Sequence, residues 1–177
     1  RESLSITTDL LSRFPDPTIV LTNASFANGT FRIRTPGHYQ LGEDIDFDPP
    51  TLERPSRIYP FPPYQLGFFA AITVECDNVI LDLNGYTLQQ SEKHALRQRF
   101  YSNIELSSQP FNAGAGPSVF GAGVRSANNC YIKGGYLGRS SHHGIHSAGT
   151  PTNVVIQDVS IFDFEVAGIH LNGAKNA

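Results

Sequence analysis

A short unit that begins with asparagine recurs along the C-terminal half of the chain. The runs NVILDLNGYTL, NCYIKGGYLG and NVVIQDVSIF begin at Asn78, Asn129 and Asn153, and another asparagine follows at Asn176. The last two steps are 24 and 23 residues long. An Ala-Ile, Gly-Val or Gly-Ile pair precedes each asparagine. A period in the low twenties, made of short β-rich runs, predicts a solenoid in which each repeat buries its apolar face against its neighbours.

Alternation within each run indicates which side chains face inward, because successive side chains of a strand point to opposite faces. The first and third residues after each asparagine are apolar, and we expect them to point inward: Val79, Leu81, Cys130, Ile132, Val154 and Ile156. The fourth residue is polar and should face solvent: Asp82, Lys133 or Gln157.

The recurring asparagines themselves suit a bend between strands. Asparagine tolerates the left-handed backbone that such a bend requires, and its amide can bond to backbone or to the next asparagine. We therefore interpret four residues as a structural asparagine ladder: Asn78, Asn129, Asn153 and Asn176.

The asparagine-led runs and the Gly-Ile pairs resemble those of right-handed parallel β-helix proteins, the pectin-lyase-like class, of secreted or viral type. The resemblance covers about residues 68–177 and reaches more loosely to GTFRIRTPGHYQLGEDIDF at 29–47. It implies an all-β fold, a right-handed parallel β-helix. We expect residues 1–67, with their irregular strands and Pro-rich loop, to form an N-terminal capping segment. The leucine-rich repeat is the nearest rival at this length, but its signature needs several leucines per unit.

The step of 51 residues from Asn78 to Asn129 allows either two ordinary repeats or one interrupted repeat. Residues 91–104 begin with a serine and then place apolar side chains four apart, which predicts a short amphipathic helix. We therefore expect one repeat with a helix-bearing excursion over about residues 91–119.

Histidines are concentrated in SSHHGIHSAG at residues 140–149. Alignment of the repeats on the Gly-Ile pair places Arg125, His146 and His170 at equivalent positions after Thr73. This alignment predicts an exposed stripe. Stacked imidazoles in such a stripe could bind an anion, a sugar acid or a metal, and the alternative is a polar, solvent-facing ladder.

The other two histidines, His142 and His143, fall in a predicted turn, where they could bond to a glycan or serve only as turn residues. A carboxylate partner for these two histidines could come from the next repeat: Asp158, Asp163 or Glu165. The candidate ligand-binding residues are therefore Arg125, His142, His143, His146 and His170. We assign no catalytic residue and no metal site from the sequence.

The resemblance implies two classes of function. Polysaccharide lyases of this fold need an acidic cluster for Ca²⁺, and polygalacturonases need paired aspartates beside a His-Gly segment. His143-Gly144-Ile145 is weakly similar to that segment, but the chain contains no Asp-Asp pair. We therefore expect a structural or carbohydrate-binding scaffold rather than an enzyme. The alternative is a polysaccharide-active enzyme (lyase, epimerase or glycoside hydrolase). We expect no cofactor, except Ca²⁺ if the protein is a lyase.

Composition narrows the partners and the location. A net charge of −3 gives no basic surface for nucleic acid or anionic membrane. No run of 18 apolar residues is present, so we expect no membrane span. Glycosylation sequons at Asn23 and Asn28 favour a secreted, extracellular or virion-surface glycoprotein. We expect glycans or polysaccharides to be its partners.

The chain ends and the cysteines give three further expectations. The chain begins at Arg1 and contains no methionine, so we expect a processed product or a fragment. It stops at Asn176-Ala177, where a new repeat starts, so we expect a truncated β-helix with further coils or self-association at that end. Cys130 fits the core, and its pairing with Cys76 stays open.

Overall fold

The computed structural model describes residues 17–49, 69–108 and 123–177. Within them the chain is mainly β, and all pairings between its strands are parallel. The expected all-β class with parallel sheets is therefore observed. Most of the predicted Pro-rich loop, the first 16 residues and part of the predicted excursion lie outside the described residues.

The described part of the chain forms twelve strands and two short helical turns. The strands are β1 Ile19–Leu21, β2 Phe31–Ile33, β3 Gly37–Leu41, β4 Ile45–Phe47, β5 Phe69–Val74, β6 Val79–Asp82, β7 Thr87–Gln90, β8 Tyr101–Glu105, β9 Asn128–Leu137, β10 His143–Ser147, β11 Thr152–Ile161 and β12 Ala167–Leu171. A 3-10 turn, Asn23–Phe26, follows β1, and the α-helical turn α1, Glu92–Ala95, follows β7.

The strands form two sheets that the chain visits in turn. The five-stranded sheet has the order β12-β10-β8-β5-β2. The seven-stranded sheet has the order β1-β3-β6-β9-β7-β4, with β11 also paired to β9. Both sheets continue across the boundary predicted between residues 67 and 68, because β2, β3 and β4 pair with β5, β6 and β7.

Side chains from both sheets form one apolar core. Of the six residues predicted to face inward, five are buried and Ile156 is partly buried against the same cluster, which confirms that these positions face the core. The five-stranded sheet contributes a row of cross-strand isoleucines: Ile72, Ile104 and Ile145. These isoleucines bury apolar surface against their cross-strand neighbours.

The structure places the four asparagines in one continuous line. Each adopts a left-handed backbone, with φ between 52° and 60°. The amide of Asn129 donates to Asn78 at 3.1 Å, that of Asn153 to Asn129 at 2.9 Å, and that of Asn176 to Asn153 at 3.1 Å. Asn78 and Asn129 are therefore direct neighbours despite the 51 residues between them, because β6 pairs with β9.

The predicted amphipathic helix after Ser91 is wrong beyond its first turn. Ser91 caps α1 as expected, since its hydroxyl accepts from the His94 amide at 3.0 Å. The helix then ends at Ala95, and Tyr101–Glu105 is the strand β8. This strand is buried and pairs on both sides, with β5 and with β10. Because the apolar run is short, sheet pairing overrides its helical spacing.

Replacement of a ladder asparagine tests the bend. Asn129→Ala is expected to lower the free energy of unfolding by about 2–4 kcal/mol, because it loses two amide hydrogen bonds and strains a left-handed backbone. Asn129→Gly loses the same bonds without the strain, so its loss should be smaller by about 1 kcal/mol. Urea unfolding monitored by circular dichroism measures both variants. Equal losses would show that the left-handed backbone contributes nothing.

Candidate functional site

Pairing within the five-stranded sheet brings histidines of two strands together. His146 on β10 lies beside His170 on β12, and Glu105 on β8 lies on the other side of His146. Thr73 on β5 neighbours Glu105 in turn. These pairings form one row across four strands: Thr73, Glu105, His146 and His170.

Glycine allows β10 and β12 to approach at this point. A Cβ atom at Gly144 would lie 2.6 Å from the carbonyl oxygen of Gly168 and 2.6 Å from the side chain of Ile161. Any other residue at position 144 would therefore push the two strands apart. The Gly-Ile pair of the repeat thus has a packing role next to the histidines.

Three histidine rings from these strands form a cluster. The ring of His143 stacks on that of His146, with centroids 4.8 Å apart and an interplanar angle of 22°. The ring of His170 lies 5.2 Å from that of His143 and 5.4 Å from that of His146. One ring nitrogen of each residue lies within 4.8 Å of the other two. His143 and His146 are buried and His170 is exposed, so the cluster opens to solvent at His170.

Glu105 is a fully buried carboxylate that orients His146. One oxygen accepts from the Ser107 hydroxyl at 2.8 Å and from the Ala148 amide at 2.7 Å. The other lies 2.5 Å from Nδ1 of His146. An ionised carboxylate can only accept, so Nδ1 carries the proton of this bond, and Nε2 faces away from Glu105.

The environment keeps the imidazole rings of His142 and His143 neutral. Burial, and then the neighbouring His142, His146 and His170, lowers the pKa of His143 from 6.5 to about 3. Burial is also the main cause that lowers the pKa of His142, followed by its proximity to His146. Both rings are therefore uncharged at neutral pH, which is the form that binds a metal or accepts a hydrogen bond.

The structure corrects the predicted stripe of Thr73, Arg125, His146 and His170. Glu105, not Arg125, occupies the position beside His146. The alignment failed because Asn103-Ile104 of β8 takes the place of the Gly-Ile pair, whereas Gly123-Val124 lies further along the chain. Arg125 is exposed and bonds through its backbone to Ser108.

The other predictions about the histidines are confirmed only in part. The stripe was expected to be exposed: His170 is exposed, but His146 is only 2% exposed. The carboxylate bonded to His146 is Glu105 of the preceding strand. Of the three carboxylates expected near His142 and His143, Glu165 acts electrostatically on His142. His143 belongs to β10 rather than to a turn. His142 lies just before the strand, with its Nδ1 2.7 Å from Nδ1 of His143.

A cleft of about 220 Å³ lies between α1 and the turns that follow β9 and β11. It is lined by Glu92, Ala95, Leu96, Arg139, Ser140, Ser141, Asp163 and Glu165. The Arg139 guanidinium lies 3.7 Å from the Asp163 carboxylate. The Ser141 hydroxyl is buried without a hydrogen-bond partner among the described residues, which is unusual for a buried polar atom.

The remaining residues predicted to be functional lie elsewhere. Asn23 and Asn28, the two sequon asparagines, are exposed. Cys76 and Cys130 are free thiols, and burial raises their pKa values to about 11 and about 12. The two cysteines are therefore protonated and unreactive at neutral pH.

Comparison with known proteins gives no match: no protein-family profile, curated protein or solved structure is significantly similar to the chain. In the described residues there is no helix with the length and hydrophobicity to cross a membrane. The function must therefore be inferred from the chemistry of the histidine cluster and the cleft.

Acidification tests the environment of His143. The unfolded chain binds a proton at this residue near pH 6.5, whereas the folded chain does so only near pH 3. Stability therefore falls as the pH drops from 6.5 towards 3, because the unfolded state binds more protons in that window. His143→Gln should flatten this part of the stability–pH curve, measured by urea unfolding at several pH values. His38→Gln, on the seven-stranded sheet, is the control. An unchanged slope in His143→Gln would contradict the assignment.

Proposed function

We propose that the chain is a right-handed parallel β-helix scaffold of a secreted or virion-surface protein and that its cleft binds a neutral glycan. Three observations support the β-helix: only parallel strand pairings, a chain that returns to the same two sheets, and an asparagine line across one bend. Crossovers between parallel strands are right-handed in about 98% of cases, which supports the hand.

The mixed polar and apolar lining of the cleft is the observation that carries the glycan proposal. Sugar hydroxyls donate and accept, and the same cleft offers them the Arg139 guanidinium and the Asp163 carboxylate. Ala95 and Leu96 provide apolar surface for the C–H face of a sugar ring.

The charge of the cleft favours a neutral glycan over an acidic one. Three carboxylates line it, Glu92, Asp163 and Glu165, against one guanidinium. A uronate chain would bring further negative charge to this surface, and the whole chain already carries a net charge of −3. This argument disfavours lyases and epimerases, which act on uronates.

The size of the cleft sets how much of a glycan it can hold. Its volume of about 220 Å³ is smaller than pockets for drug-sized ligands, which usually exceed about 300 Å³. The cleft therefore suits one sugar unit, and the rest of the glycan would lie across the protein surface. Exposed Leu96 at its edge provides a contact for a neighbouring unit.

A glycoside hydrolase is the second candidate function. Glycosidases use two carboxyl groups on either side of the scissile bond, about 5–10 Å apart. Glu92 and Glu165 line the same cleft from different elements, so they are the residues to test as such a pair. Release of reducing ends from a bound glycan, abolished in Glu165→Gln and Glu92→Gln, would assign this activity. If a glycan binds but no reducing ends are released, the protein functions as a glycan-binding scaffold.

Glycan binding to the cleft is tested by an array of neutral and uronate oligosaccharides. We expect neutral glycans to bind best and Arg139→Ala to weaken their binding about 10- to 100-fold, because it removes a charged hydrogen-bond donor. Lys133→Ala is the matched control, since Lys133 pairs with Asp82 on the seven-stranded sheet, away from the cleft.

Three outcomes would count against this proposal. The first is that no glycan binds. The second is a preference for uronate chains, and the third is equal binding by the parent protein and Arg139→Ala. Circular dichroism of each variant separates a loss of binding from a loss of fold.

A further inference from the structure

We propose that His143, His146 and His170 bind a zinc ion and that Glu105 positions His146 for this role. The proposed site is distinct from the glycan-binding cleft and does not depend on the proposed function. It rests on the convergence of the three rings, on the Glu105 bond and on the charge balance around that carboxylate.

The geometry of the cluster suits three nitrogen ligands. One ring nitrogen from each histidine already lies within 4.8 Å of the other two. Two nitrogens bound to tetrahedral zinc at about 2.0–2.1 Å are about 3.3 Å apart, so closure of the site needs movements of roughly 1 Å. His170 is exposed and stands on β12, the edge strand of its sheet among the described residues.

The contact between Glu105 and His146 has the form that metal-binding histidines usually show. A ligating histidine commonly donates its other ring N–H to a carboxylate, which fixes the ring and its tautomer. The Nδ1 of His146 lies 2.5 Å from the Glu105 carboxylate, so Nε2 is the nitrogen directed away from it. A metal bound at Nε2 would therefore have a second-sphere carboxylate already in place.

Charge balance around the buried carboxylates supports a cation at this point. Glu75, which is also buried, has a bidentate partner in Arg32, with both contacts at 2.6 Å. Glu105 is fully buried, and among the described residues its ion-pair partner is His146 rather than arginine or lysine. A zinc ion on His146 would supply the positive charge that a buried carboxylate requires.

The donor set selects the kind of metal. Three imidazoles suit zinc and its transition-metal neighbours, whereas Ca²⁺ takes oxygen ligands, so this is not the Ca²⁺ site expected of a lyase. Three protein ligands leave a fourth position for water or a substrate. Solvent reaches this position from the side of His170. The Ser102 hydroxyl, cross-strand neighbour of His143, is buried without a partner among the described residues.

Competition with a chromophoric chelator tests the site directly. The full chain, freed of metal, is titrated with Zn²⁺, and Co²⁺ absorption reports whether the metal is four-coordinate. We expect one zinc ion per chain. Because His170 is exposed, His170→Ala should keep the fold and weaken binding at least about 100-fold. Glu105→Gln should weaken it about 10- to 100-fold.

His38→Ala is the matched control, because it removes a histidine from the seven-stranded sheet. It should leave zinc affinity and stoichiometry unchanged. The proposal is overturned if the parent chain does not compete with the chelator, or if His170→Ala binds zinc as tightly as the parent. An equal loss in His38→Ala would show that zinc binds histidines nonspecifically.

Discussion

Parallel register between strands that are far apart in the sequence is the constraint on which the other features depend. Ile72, Ile104 and Ile145 lie side by side in the core because β5, β8 and β10 pair in one register. The same register lines up the residue that follows each isoleucine, which places Glu105 beside His146. A slip of one residue would exchange the apolar and polar rows, so burial of the core fixes the site.

The asparagine line and the glycines maintain that register at the bends. Side-chain amide hydrogen bonds link each of the four asparagines to the next, from Asn78 to Asn176. The left-handed backbone of each asparagine sets the direction in which the following strand leaves the bend. Gly144 then allows the close approach of β10 and β12. Residues without reactive chemistry thus hold the histidines at ring-contact distance.

The sequence predicted the features that repeat and missed those that do not. The inward residues after Asn78, Asn129 and Asn153 follow from alternation alone. β8 lacks an asparagine-led run, and its short apolar pattern fits a helix as well as a strand, so its Glu105 could not be placed beside His146. The approach of His143 to His146 depends on side-chain rotation, which no repeat pattern reports.

Anomalous diffraction at the zinc absorption edge, from crystals of the chain grown with zinc, tests the central claim that strand register assembles a site from distant residues. The account predicts one strong peak about 2.0–2.1 Å from ring nitrogens of His143, His146 and His170. It also predicts Glu105 in contact with His146 in the same map. A map without a peak there, or with β8, β10 and β12 in another register, would contradict it.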